Sequence, residues 1–258
     1  MPRKAIVNYH VIADQRQAYH IDAGGVQGKI ISPPHAVTEV NLYDVRAETS
    51  VSFSDDSIGF VTSASEVHSF EQDDEWHRVY DQELDTLLSR NLGAKEVVVF
   101  DHTVRVDDPN SNRKPARNVH SDYSPQGAKQ RLIDVLGEKK AAVWEKGHYA
   151  FVNVWRPIQN PINSAPLGFV RPSTVAETDW LQIDLVYPDR KGHIMGLVAN
   201  PDHEWVYQSR MTPNEVAIFN IYDNHGKPSI GHSALDLIED LSLTIPRKSI
   251  ESRTLIRY

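Results

Sequence analysis

The stretch WLQIDLVYPDRKGHIMGLVANPDHEWVYQSRMTPNEVAIFNIYDN, residues 180 to 224, holds four short runs rich in β-branched and aromatic residues. The runs cover 180–187, 194–199, 205–209 and 215–222, and Pro, Gly, Asn and Asp fill the gaps between them. Such spacing marks strands joined by turns. A doubly wound parallel sheet needs a helix between successive strands, and these gaps are too short to hold one. The stretch therefore predicts a sandwich, barrel or jelly roll, and further runs at 96–100, 149–155 and 249–257 supply more strands for it.

Upstream, two segments read as helices packed outside the sheets. Between 75 and 90, Trp76, Tyr80, Leu84, Leu87 and Leu88 recur at three- and four-residue spacing, the period of one buried helical face. The second opens at Ser124-Pro125, a capping residue followed by proline at the first helical position. It carries Leu132, Ile133 and Leu136 and is expected to close at Gly137. Proline and glycine are scattered along all 258 residues, and 40% apolar composition suffices for one sizeable core. The expectation is a single domain over 1–258, mainly β with flanking helices, in which 1–95 forms an N-terminal extension on the jelly-roll core.

Composition excludes several functions. Lys and Arg number 27 against 35 Asp and Glu, a net charge of −8, so the chain offers no electrostatic footprint for nucleic acid or an anionic membrane. With no cysteine, thiolate zinc sites, iron–sulfur clusters, disulfides and cysteine nucleophiles are all excluded, and any metal must sit on His, Asp or Glu. The opening MPRKAIVNYHVIADQ is broken by Asn8 and His10 and lacks a signal-peptide pattern, and the apolar runs are only a few residues long. A cytoplasmic protein is the expectation. His-Glu-x-x-His, Gly-x-Ser-x-Gly and phosphate-cradling glycine motifs are absent, so zinc peptidase, serine hydrolase and nucleotide hydrolase readings have no anchor.

Histidine and aspartate carry the remaining chemistry. With 12 histidines, chance alone yields about 1.6 cases of His-x-Asp/Glu, and two occur, His20-Ile21-Asp22 and His120-Ser121-Asp122. Along a strand, residues i and i+2 share a face, so either pair can present an imidazole and a carboxylate to one ion. A mononuclear iron site needs a further ligand from a distant strand and open positions for substrate and oxygen. His232, beyond the strand at 215–222, is a suitable partner for His120, whereas an N-terminal surface turn accounts for His20 and Asp22.

Several segments occur in a characteristic order: NVHSDYSPQGAKQRL (118–132), YAFVNVWRPI (149–158), PLGFVRPSTV (166–175), NPDHEWVYQSRMTPNEVAIFNIYDN (200–224), GHSAL (231–235) and PRKSIESRTLIRY (246–258). Together they resemble the AsaB-like hydroxylase/desaturase family, related to the cephem-methoxylase proteins, among the iron(II)- and 2-oxoglutarate-dependent oxygenases. The resemblance runs from about Val97 to the C-terminus. It implies a double-stranded β-helix, a distorted jelly roll, with His120, Asp122 and His232 as the iron-binding facial triad. His203 in NPDHEW also matches a family histidine and is expected to be structural or to sit behind the ligands.

The same resemblance requires a partner for the far carboxylate of 2-oxoglutarate, for which an arginine and a hydroxyl are suited. On the last strand Arg247, Ser249, Glu251 and Arg253 share one parity. Arg253, mid-strand, is the favoured clamp, with Ser249 and Arg247 as helpers. Arg247, 15 residues after His232, is nearer the usual spacing than Arg253 at 21. For the substrate, Trp155 and Arg156 are candidates on a strand beside the site, and Arg171 stands where many relatives have Asp. A guanidinium there would suit a small carboxylate or amino-acid substrate. The expected activity is oxidative tailoring of a small molecule with O2, by hydroxylation, desaturation or ring closure, in secondary metabolism; Asp122 argues against halogenation. The rivals are a same-fold isomerase or binding protein and a metal-dependent hydrolase that uses no 2-oxoglutarate.

Overall fold

Two sheets face each other across an interior filled by alternating large side chains. The computed structural model describes residues 2–70, 75–238 and 245–258. Strands β1 (Arg3–His10), β2 (Ala18–Ile21), β3 (Ile30–Ile31) and β4 (His35–Asp44) precede a one-turn helix α1 (Phe53–Asp56) and β5 (Ile58–Thr62). Helix α2 (Glu75–Leu92) leads into β6 (Glu96–Val106), β7 (His120–Ser121) and helix α3 (Pro125–Trp144). Then follow β8 (Tyr149–Pro157), β9 (Leu167–Val170), β10 (Trp180–Val186), β11 (Lys191–Leu197) and β12 (Trp205–Tyr207). The C-terminal part adds β13 (Glu215–Asp223), β14 (Gly231–Ala234), β15 (Asp236–Leu237) and β16 (Lys248–Arg257).

The larger sheet runs β15-β1-β4-β12-β9-β14-β7-β11-β10-β2-β3 and the smaller β5-β13-β8-β16-β6. This is the jelly roll expected from the sequence. Strand β8 shows why the order is fixed: all nine of its residues are buried, as a central strand covered on both faces requires. Its inward row, Phe151 and Trp155, meets Phe169 of β9 and Phe219 of β13 in the core between the sheets. Its outward row, Ala150, Val152 and Val154, lies under α2.

Helix α2 buries Tyr80, Leu84, Leu87 and Leu88, the periodic set read from the sequence. Each contributes roughly 1.5–3 kcal/mol by leaving water. In α3, Ser124 Oγ accepts from Gly127 N at 3.1 Å, with Pro125 at the first helical position, as the capping signal predicts. The expected end at Gly137 is not an end. Gly137 takes a positive φ of 74°, a break within the helix, and the chain resumes helical geometry to Trp144. The resumed turns bury Ala141 and Trp144 in the main core, so packing overrides the stop signal.

The N-terminal segment is woven into the larger sheet: β1 pairs with β4 from Arg3↔Leu42 to His10↔His35 and bridges Asn118 and Val198. Ala5, Val7 and Tyr9 of β1 pack with Leu42, Trp205 and Tyr207 in a separate cluster, where Trp205 Nε1 donates to Tyr9 Oη at 2.8 Å. Among the described residues no helix is long and apolar enough to cross a membrane.

Candidate metal centre

Two short strands of the larger sheet bring the chemistry together. His120 opens β7, Asp122 follows its end, and His232 lies on β14 directly opposite His120 in the antiparallel register. Opposed residues of antiparallel strands share a face, so both imidazoles enter the interior. Their ring centroids are 4.5 Å apart. One ligand atom from each of His120, Asp122 and His232 falls within 4.8 Å of the others, and all three residues are buried.

Hydrogen bonds fix which atoms face the common point. His120 Nδ1 bonds Asn118 O at 2.8 Å and His232 Nδ1 bonds Ile230 O at 3.4 Å, so each ring turns its Nε2 lone pair inward. Asp122 Oδ2 accepts from Asn153 Nδ2 at 2.9 Å and Arg253 Nε at 3.0 Å. Its Oδ1 is left facing His120 Nε2, 3.7 Å away. Burial, reinforced by His232, pulls His120 down to about 4, and burial lowers His232 too. Burial works against ionising Asp122, but Arg253 first, then His232, His120 and the Asn153 bond, outweigh it and hold the carboxyl below its usual range. The result at neutral pH is two neutral imidazoles and one carboxylate. This donor set fits a mononuclear iron(II) ion.

A family model, described as an oxidoreductase/YMDC permease-like domain, matches residues 7–257. The chain belongs to this oxidoreductase family. It is similar to the hydroxylase/desaturase efuI of Hormonema carpetanum, 30% identical over 249 residues, covering 84% of this chain and 82% of that protein. It is also similar to the Fe(II)/2-oxoglutarate-dependent dioxygenase nvfI of Aspergillus novofumigatus, 30% identical over 176 residues, 66% of this chain and 63% of that one. A solved structure of the iron and alpha-ketoglutarate-dependent endoperoxidase NvfI superposes with a TM-score of 0.89 at 23% identity, covering 99% of this chain and 97% of that chain, and shares the fold.

In this member of the family, β16 lines the interior with Ser249, Glu251 and Arg253, and Arg247 precedes them in the same parity. Arg253 is committed to carboxylates. Besides Asp122 it meets Asp101 Oδ2 at 2.5 Å and Glu251 Oε1 at 2.7 Å. A register shift between Arg253 and Thr254 against β6 accompanies this turn of the strand, as bulges do beside functional sites. Arg247 is 3% exposed and, among the described residues, its side chain bonds neutral groups: its Nε donates to Ser249 Oγ at 3.2 Å and Nη1 to Ala165 O. Its guanidinium lies 5.0 Å from the ring centroid of Trp155, whose buried Nε1 has no hydrogen-bond partner among the described residues. Burial, with Arg105 adding repulsion, lowers Arg247 to about 9.

The other candidates lie elsewhere. Arg156 points to the opposite face of β8 from Asn153 and Trp155, with its guanidinium 5.2 Å from the Tyr80 ring of α2. Arg171 follows β9 and is held by Glu204 Oε1 at 2.8 Å, by Thr49 Oγ1 at 3.0 Å and by Asp56. His203 bonds Tyr9 Oη at 2.9 Å through Nδ1 and Asp179 Oδ2 at 3.2 Å through Nε2, so both nitrogens are engaged. His20 is exposed on β2, and Asp22 accepts from Gly28 N in the following turn.

Asn153 and His10 escaped the sequence reading. Asn153 is the polar member of an apolar inward row in Tyr149, Phe151, Asn153, Trp155, a signal legible once the strand's inner face is known. His10 has no such signal. Gly196, paired with His120 across β11 and β7, has no room for a side chain because its Cβ would lie 2.3 Å from His10 Cδ2. Both ring nitrogens of His10 lack partners among the described residues, and burial, then His35 and His120, pulls it down to about 3.

Proposed function

We propose that His120 Nε2, Asp122 Oδ1 and His232 Nε2 hold iron(II), that Arg247 and Ser249 receive the far carboxylate of 2-oxoglutarate, and that the chain sits in the AsaB-like hydroxylase/desaturase branch. The chain is a non-haem iron(II)/2-oxoglutarate-dependent dioxygenase that oxidatively tailors a small molecule in secondary metabolism. The observation that carries the residue assignment is the convergence of two imidazoles, each with Nδ1 tied to a backbone carbonyl, on one carboxylate oxygen. Iron bound there supplies the redox chemistry that couples O2 and the keto acid to oxidation of a substrate carbon.

This chain's own groups prepare that chemistry. Asn153 and Arg253 hold Asp122 through one oxygen and so present the other as a single ligand atom. Arg247 is a buried cation whose bonds here go to a hydroxyl and a carbonyl, and an anion beside it relieves the charge. Trp155 Nε1 adds a donor, and its ring closes the site against water. Arg253 is left out of the keto-acid clamp because its carboxylate partners already neutralise it. Arg171 is left out of substrate binding for the same reason. A single domain over 1–258, with 1–95 laid on the jelly roll, belongs to the same reading.

The test is succinate formation from 2-oxoglutarate under air with iron(II) and ascorbate. Turnover that needs both iron and 2-oxoglutarate is expected, with loss in His120→Ala, Asp122→Ala and His232→Ala. Metal-dependent hydrolysis or isomerisation without succinate would replace this reading with one of its rivals.

A further inference from the structure

The outer face of the smaller sheet carries a second buried cation, away from the triad. Arg156 is 1% exposed, and its Nε and Nη1 have no acceptor among the described residues. A guanidinium is always charged, so a buried one without acceptors is costly unless something anionic reaches it. An opening exists for such a group. A cavity of about 310 Å³ is bounded by Arg156 together with Ser65, Val67, His68, Phe70 and Asn214. Arg156 is the cation among these, Ser65, His68 and Asn214 give hydrogen-bonding groups, and Val67 and Phe70 are apolar. Beneath the guanidinium the Tyr80 ring, 5.2 Å away, fills the side facing α2. Arg156 is thus both a lining residue of the cavity and a buried cation with unsatisfied donors.

We propose that this cavity binds a small organic carboxylate with a short apolar body, its charge on Arg156 and its chain against Val67 and Phe70. Guanidinium and carboxylate match in charge and planar geometry, the volume suits a ligand of a few carbons, and the apolar wall favours a hydrocarbon tail over a compact inorganic anion. The site is separate from the iron centre, because Arg156 and its neighbours Asn153 and Trp155 leave β8 on opposite faces. Occupancy therefore needs neither iron nor 2-oxoglutarate.

Hexanoate and its uncharged analogue hexanamide, titrated calorimetrically into the chelator-treated full chain, test this. Saturable binding of hexanoate is expected, with hexanamide at least tenfold weaker. His120→Ala and Arg247→Gln should keep the wild-type hexanoate affinity, whereas Arg156→Gln should lose tenfold or more. Asn214→Asp, on the exposed rim, places a like charge in the lining and should weaken binding several-fold; it decides the matter if Arg156→Gln does not fold by circular dichroism. Absence of hexanoate binding, equal affinity for the two probes, or unchanged affinity in Arg156→Gln or Asn214→Asp would overturn the proposal. Loss of binding confined to Arg247→Gln would do so as well, by placing the carboxylate in the jelly-roll interior.

Discussion

Two arginines of one parity, Arg247 just before the last strand and Arg253 in its middle, solve the same electrostatic problem in opposite ways. Arg253 is surrounded by Asp122, Asp101 and Glu251, and this compensation raises its pKa further despite burial. Arg247 touches a hydroxyl, a carbonyl and an aromatic face, and burial lowers its pKa to about 9. A cation that the protein neutralises with its own carboxylates is a positioning device. On the proposed reading, one whose bonds go to neutral groups receives an anion from outside. The lesson is that parity along β16 admits both residues to the interior, while their partners separate their roles.

If that contrast is right, the two arginines fail differently. Arg247→Met should weaken 2-oxoglutarate binding by roughly 100- to 1,000-fold, the effect of stripping a charged donor from a buried carboxylate, with iron(II) affinity near wild type. Isothermal titration of each component separates the two. Arg253→Met should do the reverse, lowering iron(II) affinity by roughly 10- to 100-fold while 2-oxoglutarate affinity at saturating metal changes little. Swapped outcomes would return the clamp to Arg253. Asn153→Ala, which removes the other donor to Asp122 Oδ2, should give a smaller loss of metal affinity in the same direction as Arg253→Met.

A gentler probe is acid. In the metal-free protein His120 and His10 are held neutral, at about 4 and about 3, against 6.5 for the free side chain. Below pH 6.5 the unfolded chain takes up protons that the folded chain refuses, so stability present above 6.5 is lost as pH falls toward those lower values. Each histidine contributes a slope of about 1.4 kcal/mol per pH unit within its window. Urea denaturation between pH 7 and 4 should show the decline, and His10→Asn should make it shallower. An equal slope in wild type and His10→Asn would mean that His10 is not held neutral in the folded state.

Much of this architecture was legible in the chain. The strands at 149–155, 180–187, 215–222 and 249–257 declare themselves through β-branched and aromatic runs, and α2 through its buried stripe, because burial on a regular period leaves a regular pattern. Short strands such as β7 and β14 have no period to read, so the face that His120 and His232 share emerges only from their pairing. The same limit explains Arg253 and Arg247. Sequence parity puts both in one row, but Asp101 and Asp122 reach Arg253 from β6 and from the end of β7, and no local pattern announces those contacts. His10 is harder still, since its place beside His120 depends on a glycine far along the chain.

The central claim is that one iron(II) ion sits on His120, Asp122 and His232, and anaerobic titration of iron(II) into wild type, His232→Ala and His203→Ala measures it most directly. The account predicts one equivalent bound by wild type and by His203→Ala, whose histidine already bonds Tyr9 and Asp179, and no tight binding by His232→Ala. Wild-type affinity in His232→Ala, or loss of the site only in His203→Ala, would contradict it.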